Sequence, residues 1–292
     1  LASQRVSYAP LVSNANRSIM SLFDFCLNLT SSQFKDDQEL ILERAKHAGV
    51  SHCLIAGSDL ADSQHAVELC SQHSHNLYAT VGVHPHNAKG WQDNTRANLQ
   101  ALAQRSEVLA IGEAGLDFHR NLSTQEQQEH AFRQQIELSI ELGLPLFLHE
   151  RDAHDRFREI ISEYHSALQA TVVHCFTGDR IALECYIEMG FYIGITGWIC
   201  DERRGKHLHE LVPLIPQDKL LIETDAPYLL PRSLRPKPKN PRNEPCHLPH
   251  ISEHIARHRG DDRLELCRYS MDNALRFLGL TQTEQVAVPE ES

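Results

Sequence analysis

Val108-Leu109-Ala110-Ile111-Gly112-Glu113 is a short apolar run that ends in a carboxylate, which is typical of a buried strand with a polar residue at its carboxyl end. Runs of this kind recur along the chain and alternate with amphipathic stretches of helical period. The eight runs are Leu22–Cys26, His52–Ala56, Tyr78–Val83, Val108–Glu113, Pro145–His149, Thr171–Phe176, Phe191–Thr196 and Leu220–Asp225. Eight strands alternating with helices predict an α/β fold with a parallel sheet, closed as a TIM-type (β/α)8 barrel rather than open and doubly wound.

The helical stretches lie between these runs and continue beyond the last one. They are Asp36–Ala48, Ser63–Gln72, Thr95–Arg105, Thr124–Leu142, Asp155–His165, Arg180–Met189, Leu208–Leu214, His250–Arg259 and Leu264–Leu278. Because a barrel of this type takes about 250 residues as a single domain, we expect one barrel hydrolase domain over residues 20–292 of this 292-residue chain. Residues 1–19 are polar and precede Met20, and we expect them to be a leader or an added segment.

The composition is that of an ordinary globular protein, with 41% hydrophobic and 23% charged residues. No apolar run reaches the roughly 18 residues that a membrane span needs, so we predict no membrane partner. The eight cysteines include no C-x-x-C pair. They indicate unpaired thiols in a reducing compartment, and we expect a cytoplasmic protein.

The formal net charge of −11 argues against broad electrostatic binding to polyanions. A nucleic-acid partner must therefore contact a local basic patch. One candidate is a Pro-rich loop that contains Arg232, Arg235, Lys237, Lys239 and Arg242. The alternative interpretation of this loop is a solvated surface segment.

Polar residues end most of the apolar runs, and catalytic groups in β/α barrels lie at those carboxyl ends of the strands. A single residue of this kind is more often a turn cap or a hydrogen-bonded core residue. Their coincidence at one mouth of the barrel predicts a catalytic site. They are His84 and His86 after the third run, Glu113 on the fourth, His149 on the fifth, His174 on the sixth and Asp225 on the eighth.

Glu113, His149 and His174 end three neighbouring runs. Adjacent strands lie about 4.8 Å apart, so these side chains can converge on one point. Two imidazoles and a carboxylate form a ligand set for a divalent metal with room for water. Asp225 can then accept a proton from the water or bind a second metal, its alternative role being a turn cap ahead of a proline. Glu223, on the same face, is the second candidate for this role.

Five motifs carry a resemblance to a known family. They are Phe23-Asp24-Phe25-Cys26-Leu27-Asn28-Leu29-Thr30, Gly82-Val83-His84-Pro85-His86, Ile111-Gly112-Glu113-Ala114-Gly115-Leu116-Asp117, Val173-His174-Cys175-Phe176-Thr177-Gly178 and Glu223-Thr224-Asp225-Ala226-Pro227-Tyr228. In this order, from about Met20 to the last helix, they resemble the TatD family of metal-dependent deoxyribonucleases.

The resemblance implies an amidohydrolase-like barrel, a divalent metal, and 3′→5′ exonuclease activity on single-stranded DNA and RNA. It further implies that Glu113, His149 and His174 bind the metal and that Asp225 serves the catalytic water. Glu113 and Asp225 are thus the expected catalytic residues, and Asp225 joins the expected metal set. We expect a monomer with single-stranded nucleic acid as its substrate.

One position departs from the family pattern. The wider family places His-x-His at the end of the first strand, where this chain has Cys26 and Asn28, which are poor ligands for a hard metal. We therefore expect one tight metal site held by the protein, with any second ion weak and brought in with the substrate phosphate. We expect Mg²⁺ as the working ion, although the two imidazoles also suit Mn²⁺ or Zn²⁺.

Basic and aromatic residues near the strand ends are candidates for substrate binding. The resemblance suggests that His84 and His86 contact the substrate phosphate, the alternative being hydrogen bonding within their loop. Arg151, Arg203, Arg204 and Lys206 can add positive charge at the same face. The aromatic residues that can stack on bases, or instead pack in the core, are Phe118, Phe176, Trp198 and Tyr228.

Two other classes of function compete with a nuclease. The first is a barrel hydrolase of a C–N or ester bond, such as an amidohydrolase or an aminoacyl-tRNA deacylase. Several amidohydrolases carry a modified lysine at the end of the fourth strand, where this chain has Glu113. The second is a non-catalytic protein on a decayed barrel, which the missing His-x-His pair favours and the retained strand-end residues oppose.

Overall fold

The apolar runs form strands in the computed structural model, which describes residues 21–73 and 76–280. Within those residues, eight parallel strands pair in sequence order to form one sheet. They are β1 (Leu22–Leu27), β2 (Val50–Ile55), β3 (Leu77–Val81), β4 (Val108–Asp117), β5 (Leu146–Arg151), β6 (Thr171–Val173), β7 (Tyr192–Ile195) and β8 (Leu220–Ile222). The expected leader, residues 1–19, lies outside the described residues.

The sheet closes on itself just beyond the ends of β1 and β8. The backbone N–H of Asp225 donates to the carbonyl of Cys26 at 2.9 Å, and the N–H of Asn28 donates to the carbonyl of Ala226 at 2.8 Å. Leu27 and Ala226 form a parallel bridge between these bonds. The predicted TIM-type barrel is therefore confirmed, and its seam lies at the carboxyl end of the strands.

Helices follow the strands and cover the outside of the barrel. Among the described residues the α-helices are α1 (Gln38–His47), α2 (Leu60–Gln72), α3 (Thr95–Leu102), α4 (Gln125–Leu142), α5 (His154–Tyr164), α6 (Arg180–Glu188), α7 (Leu208–Leu211), α8 (Leu248–Arg259) and α9 (Arg263–Phe277). None of them combines the length and hydropathy of a membrane span.

Several predicted helix bounds differ from those in the structure, and two of the differences have identifiable reasons. Helix α2 begins three residues earlier than Ser63, because the side chain of Asp59 caps it by accepting a hydrogen bond from the N–H of Asp62. Helix α7 ends at Leu211 and continues as a 3₁₀ turn, Val212–Leu214, whose second residue is a proline.

The predicted ends of β4 and β5, Glu113 and His149, were also too early. Strand β4 continues to Asp117 and pairs with β5 as far as Arg151. The pairing shifts register between Ile111 and Ala114, which marks a β-bulge at Glu113. Beyond the bulge the two backbones approach so closely that a Cβ at Gly115 would lie 1.9 Å from the carbonyl oxygen of His149. Only glycine fits there.

Apolar side chains inside the barrel form a cluster that we call the barrel floor. It contains Phe25, Phe147, Tyr192 and Phe277, and the ring of Phe277 on α9 meets Phe25 and Tyr192 edge-on at centroid distances of 5.2 and 5.3 Å. Helix α9 also contacts the amino end of β8, since Asn273 donates to the carbonyl of Leu220 at 2.9 Å. The larger core lies between the sheet and the outer helices. The floor leaves the carboxyl ends of the strands, the barrel mouth, for polar residues.

Candidate metal centre and active site

Three imidazoles converge on a single carboxylate oxygen at the barrel mouth. Glu113 Oε1 lies 2.7 Å from His174 Nε2, 3.0 Å from His149 Nδ1 and 3.2 Å from His84 Nε2. All four residues are largely or completely buried. The structure thus brings together three of the four predicted metal ligands and places His84 beside them.

The bulge in β4 and the neighbouring backbones fix the side chains of this cluster. The N–H of Glu113 donates to the carbonyl of Gly57 at 2.9 Å, and the N–H of His174 donates to the carbonyl of Leu148 at 2.9 Å. The ring of His174 stacks on Phe147 of the barrel floor, with centroids 4.7 Å apart. A bulge redirects a strand residue, and here it turns the Glu113 carboxylate towards the histidines.

The charges of the cluster support one another. Although burial opposes ionisation, the imidazoles of His84 and His174 and hydrogen bonds from His149 and His174 hold the pKa of Glu113 well below its usual range. Burial likewise opposes the charged form of His174, but the carboxylates of Glu113 and Glu223 raise its pKa well above the usual value. The centre therefore combines an ionised, buried carboxylate with imidazoles that favour the protonated form. A divalent cation can take the place of that proton.

The second ring nitrogen of each metal-ligand candidate faces its own carboxylate. His149 Nε2 lies 3.5 Å from Asp117 Oδ2, and His174 Nδ1 lies 3.6 Å from Glu223 Oε2. Both nitrogens are buried and have no hydrogen-bond partner within normal geometry. Metal-binding histidines usually present their other N–H to a carboxylate, which sets the tautomer and orients the ring. Asp117 and Glu223 occupy those positions.

Glu223 has room only because its neighbour on β7 lacks a side chain. A Cβ at Gly194 would lie 2.5 Å from Glu223 Oε1. The other contact of this carboxylate is a short hydrogen bond from the backbone N–H of Cys175. Glu223 is thus held beside His174 as an orienting group, which differs from the role of proton acceptor that made it the second candidate in the sequence.

His84 differs from the other two histidines in its hydrogen bonding. Its Nδ1 accepts a hydrogen bond from the backbone N–H of His86 at 3.0 Å, so the proton of the neutral ring is on Nε2 and faces Glu113. Burial lowers the pKa of His84 to about 4, which keeps the ring neutral. His84 is therefore a hydrogen-bond donor, whereas His149 and His174 can offer lone pairs to a cation.

The donor set fits a divalent metal. Glu113, His149 and His174 present one carboxylate and two imidazoles to a common point, and each imidazole has a carboxylate behind it. Two groups at the mouth have metal-binding spacing, namely His84 with Glu113 and His149, and Cys26 with His174 and Glu223. The thiol of Cys26 makes the second group different from the first. This thiol is fully buried, and burial raises the pKa of Cys26 well above its usual value. The carboxylates of Asp225, Glu223 and Glu113 add to this effect and further disfavour the thiolate, which is the form that binds metal, so the group around Glu113 is the better site.

Asp225 lies at the seam of the barrel, and the two unusual residues of β1 contact it. Asn28 Nδ2 donates to Asp225 Oδ1 at 2.9 Å, and the Cys26 thiol lies 3.7 Å from the same oxygen. Burial raises the pKa of Asp225 to about 7, with Glu113 and Glu223 adding to the effect and His174 opposing it. A carboxylate with this pKa exchanges protons near neutral pH. Asn28 and Cys26 therefore orient Asp225.

The predicted substrate-binding residues lie around the mouth and differ in how firmly other side chains hold them. His86 Nε2 is 2.7 Å from Asp117 Oδ2, so its ring is tied to the metal cluster. The guanidinium groups of Arg151 and Arg204 lie 5.9 and 4.4 Å from the ring centre of Trp198. This cation–π group combines positive charge with an aromatic face, which is the combination that binds single-stranded nucleic acid.

Asp201 balances much of the positive charge after β7. Its carboxylate accepts hydrogen bonds from the backbone N–H of Arg203 at 2.9 Å and from Arg204 Nε at 3.0 Å, and Arg232 Nε lies 3.7 Å away. Arg242, from the Pro-rich basic loop, is also neutralised within the protein. It is largely buried and bonds the carboxylates of Asp37 at 2.7 Å and Glu244 at 2.8 Å.

A groove of about 870 Å³ opens beside the mouth, between the ends of β5 and β6 and the segment around α7. Phe118, Arg151 and His207 are among the residues that line it. Of the other aromatic candidates, Phe176 is only 2% exposed and belongs to the core, whereas Tyr228 is 52% exposed. Tyr228 is thus exposed and available for stacking, Phe118 and Trp198 are partly buried against the core, and Phe176 is not available.

Sequence reasoning missed two features of the centre. It quoted Asp117 within a motif but assigned it no role, and it described Asn28 only as a poor ligand for a hard metal. The bulge in β4 was the missing information for Asp117, because it places a residue four positions after Glu113 beside His149.

Comparison with known proteins accords with this geometry. A family model described as TatD related DNase matches residues 23–279. The chain belongs to the TatD family. The resemblance inferred from five motifs is therefore confirmed, and the family's description supports the predicted class, a metal-dependent nuclease.

Close TatD relatives carry a more specific name. A protein of Erwinia tasmaniensis named 3'-5' ssDNA/RNA exonuclease TatD is 52% identical over 259 residues, which are 89% of this chain and 100% of the relative. A protein of Pantoea ananatis with the same name is 49% identical over 259 residues, again 89% and 100% of the two chains.

Solved structures show the same barrel. YJJV, a TatD homologue from Escherichia coli K12, superposes with a TM-score of 0.81 at 26% identity, covering 90% of this chain and 100% of that one. A TatD family hydrolase from Entamoeba histolytica gives a TM-score of 0.79 at 25% identity over 88% of this chain and 98% of that one. A β-aspartyl dipeptidase from Fervidobacterium islandicum, at 14% identity and a TM-score of 0.55, shares the fold alone.

Proposed function

We propose that this chain is a metal-dependent 3′→5′ exonuclease that hydrolyses the phosphodiester bonds of single-stranded DNA and RNA. The observation that carries the proposal is the convergence of His149 Nδ1 and His174 Nε2 on Glu113 Oε1 at the barrel mouth. Relatives that are about half identical over nearly their whole length bear the name of this activity, which gives the polarity and the single-stranded substrate.

Glu113, His149 and His174 hold one divalent ion tightly in this proposal, and Mg²⁺ is the working ion. When bound, the ion polarises a phosphoryl oxygen and lowers the pKa of the attacking water. The positions from which the wider family would offer a His-x-His pair are instead Cys26 and Asn28, which contact Asp225. Any second ion at the mouth is therefore weak and arrives with the substrate.

Asp225 accepts the proton of the attacking water. Its carboxylate is half-buried, the loss of solvent raises its pKa to about 7, and Asn28 donates to one of its oxygens at 2.9 Å. A bound cation nearby lowers this pKa and favours the ionised base. His84 presents its Nε2–H at the mouth, 3.2 Å from Glu113 Oε1, and could donate it to a phosphoryl oxygen of the substrate.

The groove beside the mouth is the proposed path of the single strand. Arg151 lines it and also lies over the ring of Trp198, which Arg204 contacts as well. Stacking on an aromatic side chain contributes about 1–3 kcal/mol per base and tolerates any sequence. This local patch allows an acidic protein to bind a polyanion. Arg203 and Arg204 contribute less charge than the sequence suggests, because Asp201 pairs with them.

Digestion of end-labelled oligonucleotides tests the proposal. A 3′ label should leave as a mononucleotide at once, and a 5′ label should give a descending ladder, with Mg²⁺, Mn²⁺ and Zn²⁺ compared. Glu113→Gln should abolish both patterns, whereas the matched variant Glu141→Gln, on the exposed side of α4, should behave as wild type. If Glu113→Gln kept the activity of wild type, the proposed metal centre would be ruled out.

Two further assays separate the alternatives. Aminoacyl-tRNA, a dipeptide and a phosphotriester offered under the same conditions would reveal an ester or C–N hydrolase, which should be inactive here on all three. Calorimetric titration with Mn²⁺ should show a single tight site that Glu113→Gln eliminates. Two tight sites at the mouth in the absence of substrate would contradict the role assigned to Cys26 and Asn28.

The cysteines indicate the compartment in which the enzyme works. All eight cysteines are free, which accords with a reducing compartment, and we place the protein in the cytoplasm. We further propose that the described part of the chain is a single barrel domain that acts as a monomer.

A further inference from the structure

A second cluster of metal-binding side chains lies outside the barrel mouth. One ligand atom from each of Cys200, His250 and His254 lies within 4.8 Å of the others. Cys200 ends the 3₁₀ turn Gly197–Cys200 after β7, and the two histidines lie one turn apart on α8. The proposed nuclease reaction uses none of these residues. We propose that Cys200, His250 and His254 bind a zinc ion.

The two histidines are already aimed at one place. Positions i and i+4 share a face of a helix, and the rings of His250 and His254 lie 4.7 Å apart between centroids. Both direct Nε2 at the same atom, Ser233 Oγ, at 2.7 and 3.0 Å. A zinc ion needs ring nitrogens that point to a common centre, and this pair provides them without rearrangement of the helix.

The third ligand comes from a segment packed tightly against the helix. A Cβ at Gly197 would lie 2.5 Å from the carbonyl oxygen of Leu229 and 3.5 Å from Ile251 Cδ1. The turn after β7, the loop after β8 and helix α8 therefore meet at this point. Cys200 is only 3% exposed, so the site is sheltered on one side and open on the side of the half-buried histidines.

The chemistry of the donors selects zinc. A thiolate and two imidazoles suit Zn²⁺, whereas Mg²⁺ prefers oxygen ligands. The positive charge of Arg257, on the same helix, is balanced by Glu253 at 3.3 Å. The Ser233 hydroxyl or a water can take the fourth position of a tetrahedral site.

The site would join two loops that border the barrel mouth. Cys200 directly precedes Asp201, which pairs with Arg204, and Ser233 directly follows Arg232, which reaches both Asp201 and Glu202. A bound zinc would fix this basic edge relative to α8. The inference concerns structure and metal content, so it does not rest on the identity of the reaction at the mouth.

Zinc content of the purified full chain tests the site. After equilibration with zinc and removal of loosely bound metal, wild type should hold one ion at each site. Cys200→Ser and His254→Gln should lose one ion, and Glu113→Gln should lose the other. Since loss of a residue that merely supports a ligand costs about 10–100-fold in affinity, loss of a ligand should cost at least about 100-fold. His258→Gln, one turn further along α8, is the matched control and should bind like wild type.

Cobalt substitution identifies the ligands directly. A thiolate-to-cobalt charge-transfer band should appear in wild type, Glu113→Gln and Cys26→Ser, and should be absent from Cys200→Ser. Unchanged zinc content in His254→Gln, or a band that persists in Cys200→Ser, would overturn the proposal. His254 is half-buried on the helix surface, so its replacement leaves the barrel folded. Neither measurement depends on nuclease activity, so failure of the proposed function would leave this result interpretable.

Discussion

The mouth and the floor of the barrel are built by the same strands, yet they differ in almost every physical property. At the floor, Phe25, Phe147 and Phe277 pack ring against ring and are at most 2% exposed. At the mouth, two residues further along β5, His149 shares Glu113 with His174 in a space that is nearly as buried. Burial of apolar rings stabilises the fold, whereas burial of ionisable groups costs free energy.

The contrast shows that features unfavourable for folding stability are concentrated at the mouth, where the catalytic residues lie. Asp225, at the mouth, has a φ of 55°, in the left-handed region that is unfavourable for residues other than glycine. Residues of this kind persist only where the surrounding structure fixes them. Here the hydrogen bonds of the barrel seam provide that support.

The largest expected effect of a single replacement is on activity at the mouth. Glu113→Gln keeps the size of the side chain but removes the charge on which two imidazoles converge. We expect nuclease activity to fall at least about 1,000-fold, or about 4 kcal/mol, with little loss of folding stability. Steady-state digestion and urea unfolding of the same preparation measure both quantities. A large loss of stability would show that the carboxylate is structural.

At the floor the expectation is reversed. Phe277→Ala should lower the free energy of unfolding by about 3–4 kcal/mol, because it leaves a cavity between Phe25 and Tyr192. The folded fraction should keep its specific activity. Leu264→Ala on the same helix is the control, since Leu264 is 61% exposed and should change stability by less than about 0.5 kcal/mol. Equal effects of the two variants would mean that α9 does not seal the barrel.

A smaller effect on activity is expected for Glu223, which contacts the proposed metal ligand His174 and not the metal itself. Glu223→Gln removes the charge that faces His174 Nδ1 at 3.6 Å, and we expect a loss of metal affinity of about 10–100-fold. High metal concentration should restore most of the activity, which it cannot do for Glu113→Gln. Activity against metal concentration distinguishes the two variants. A defect that excess metal does not relieve would assign Glu223 to the chemical step.

The last expected effect is on the pH dependence of stability, and it concerns Asp24, a fully buried aspartate on β1. It accepts hydrogen bonds from the N–H of Thr224 at 2.7 Å and from its hydroxyl, but burial outweighs them and raises its pKa from 3.8 to about 8. The folded state therefore holds an extra proton between those values. Its contribution to stability is complete below about pH 3.8 and is lost as the pH rises through about 8.

Asp24→Asn should remove this dependence. Compared with the variant, wild type should lose stability as the pH rises, by at most about 1.4 kcal/mol per pH unit. Urea unfolding at a series of pH values across this window measures the difference. Parallel pH profiles of the two proteins would show that Asp24 stays ionised on its two hydrogen bonds.

Several features were determined by the sequence alone. Eight apolar runs and their spacing predicted the barrel, because strand and helix periodicity is a local property that each segment carries by itself. The same pattern placed Glu113, His149 and His174 on neighbouring strands, since strand order followed chain order. The five motifs gave the family, which the comparison confirmed.

Only the tertiary structure decided how these residues divide the work. The bulge in β4 brought Asp117 beside His149, and closure of the seam brought Asn28 to Asp225 across almost 200 positions of the chain. The tertiary structure also pairs Arg242 with Asp37 and Glu244, and it places Cys200 beside the histidines of α8. These contacts depend on distances between segments far apart in sequence, and local periodicity contains no information about such distances.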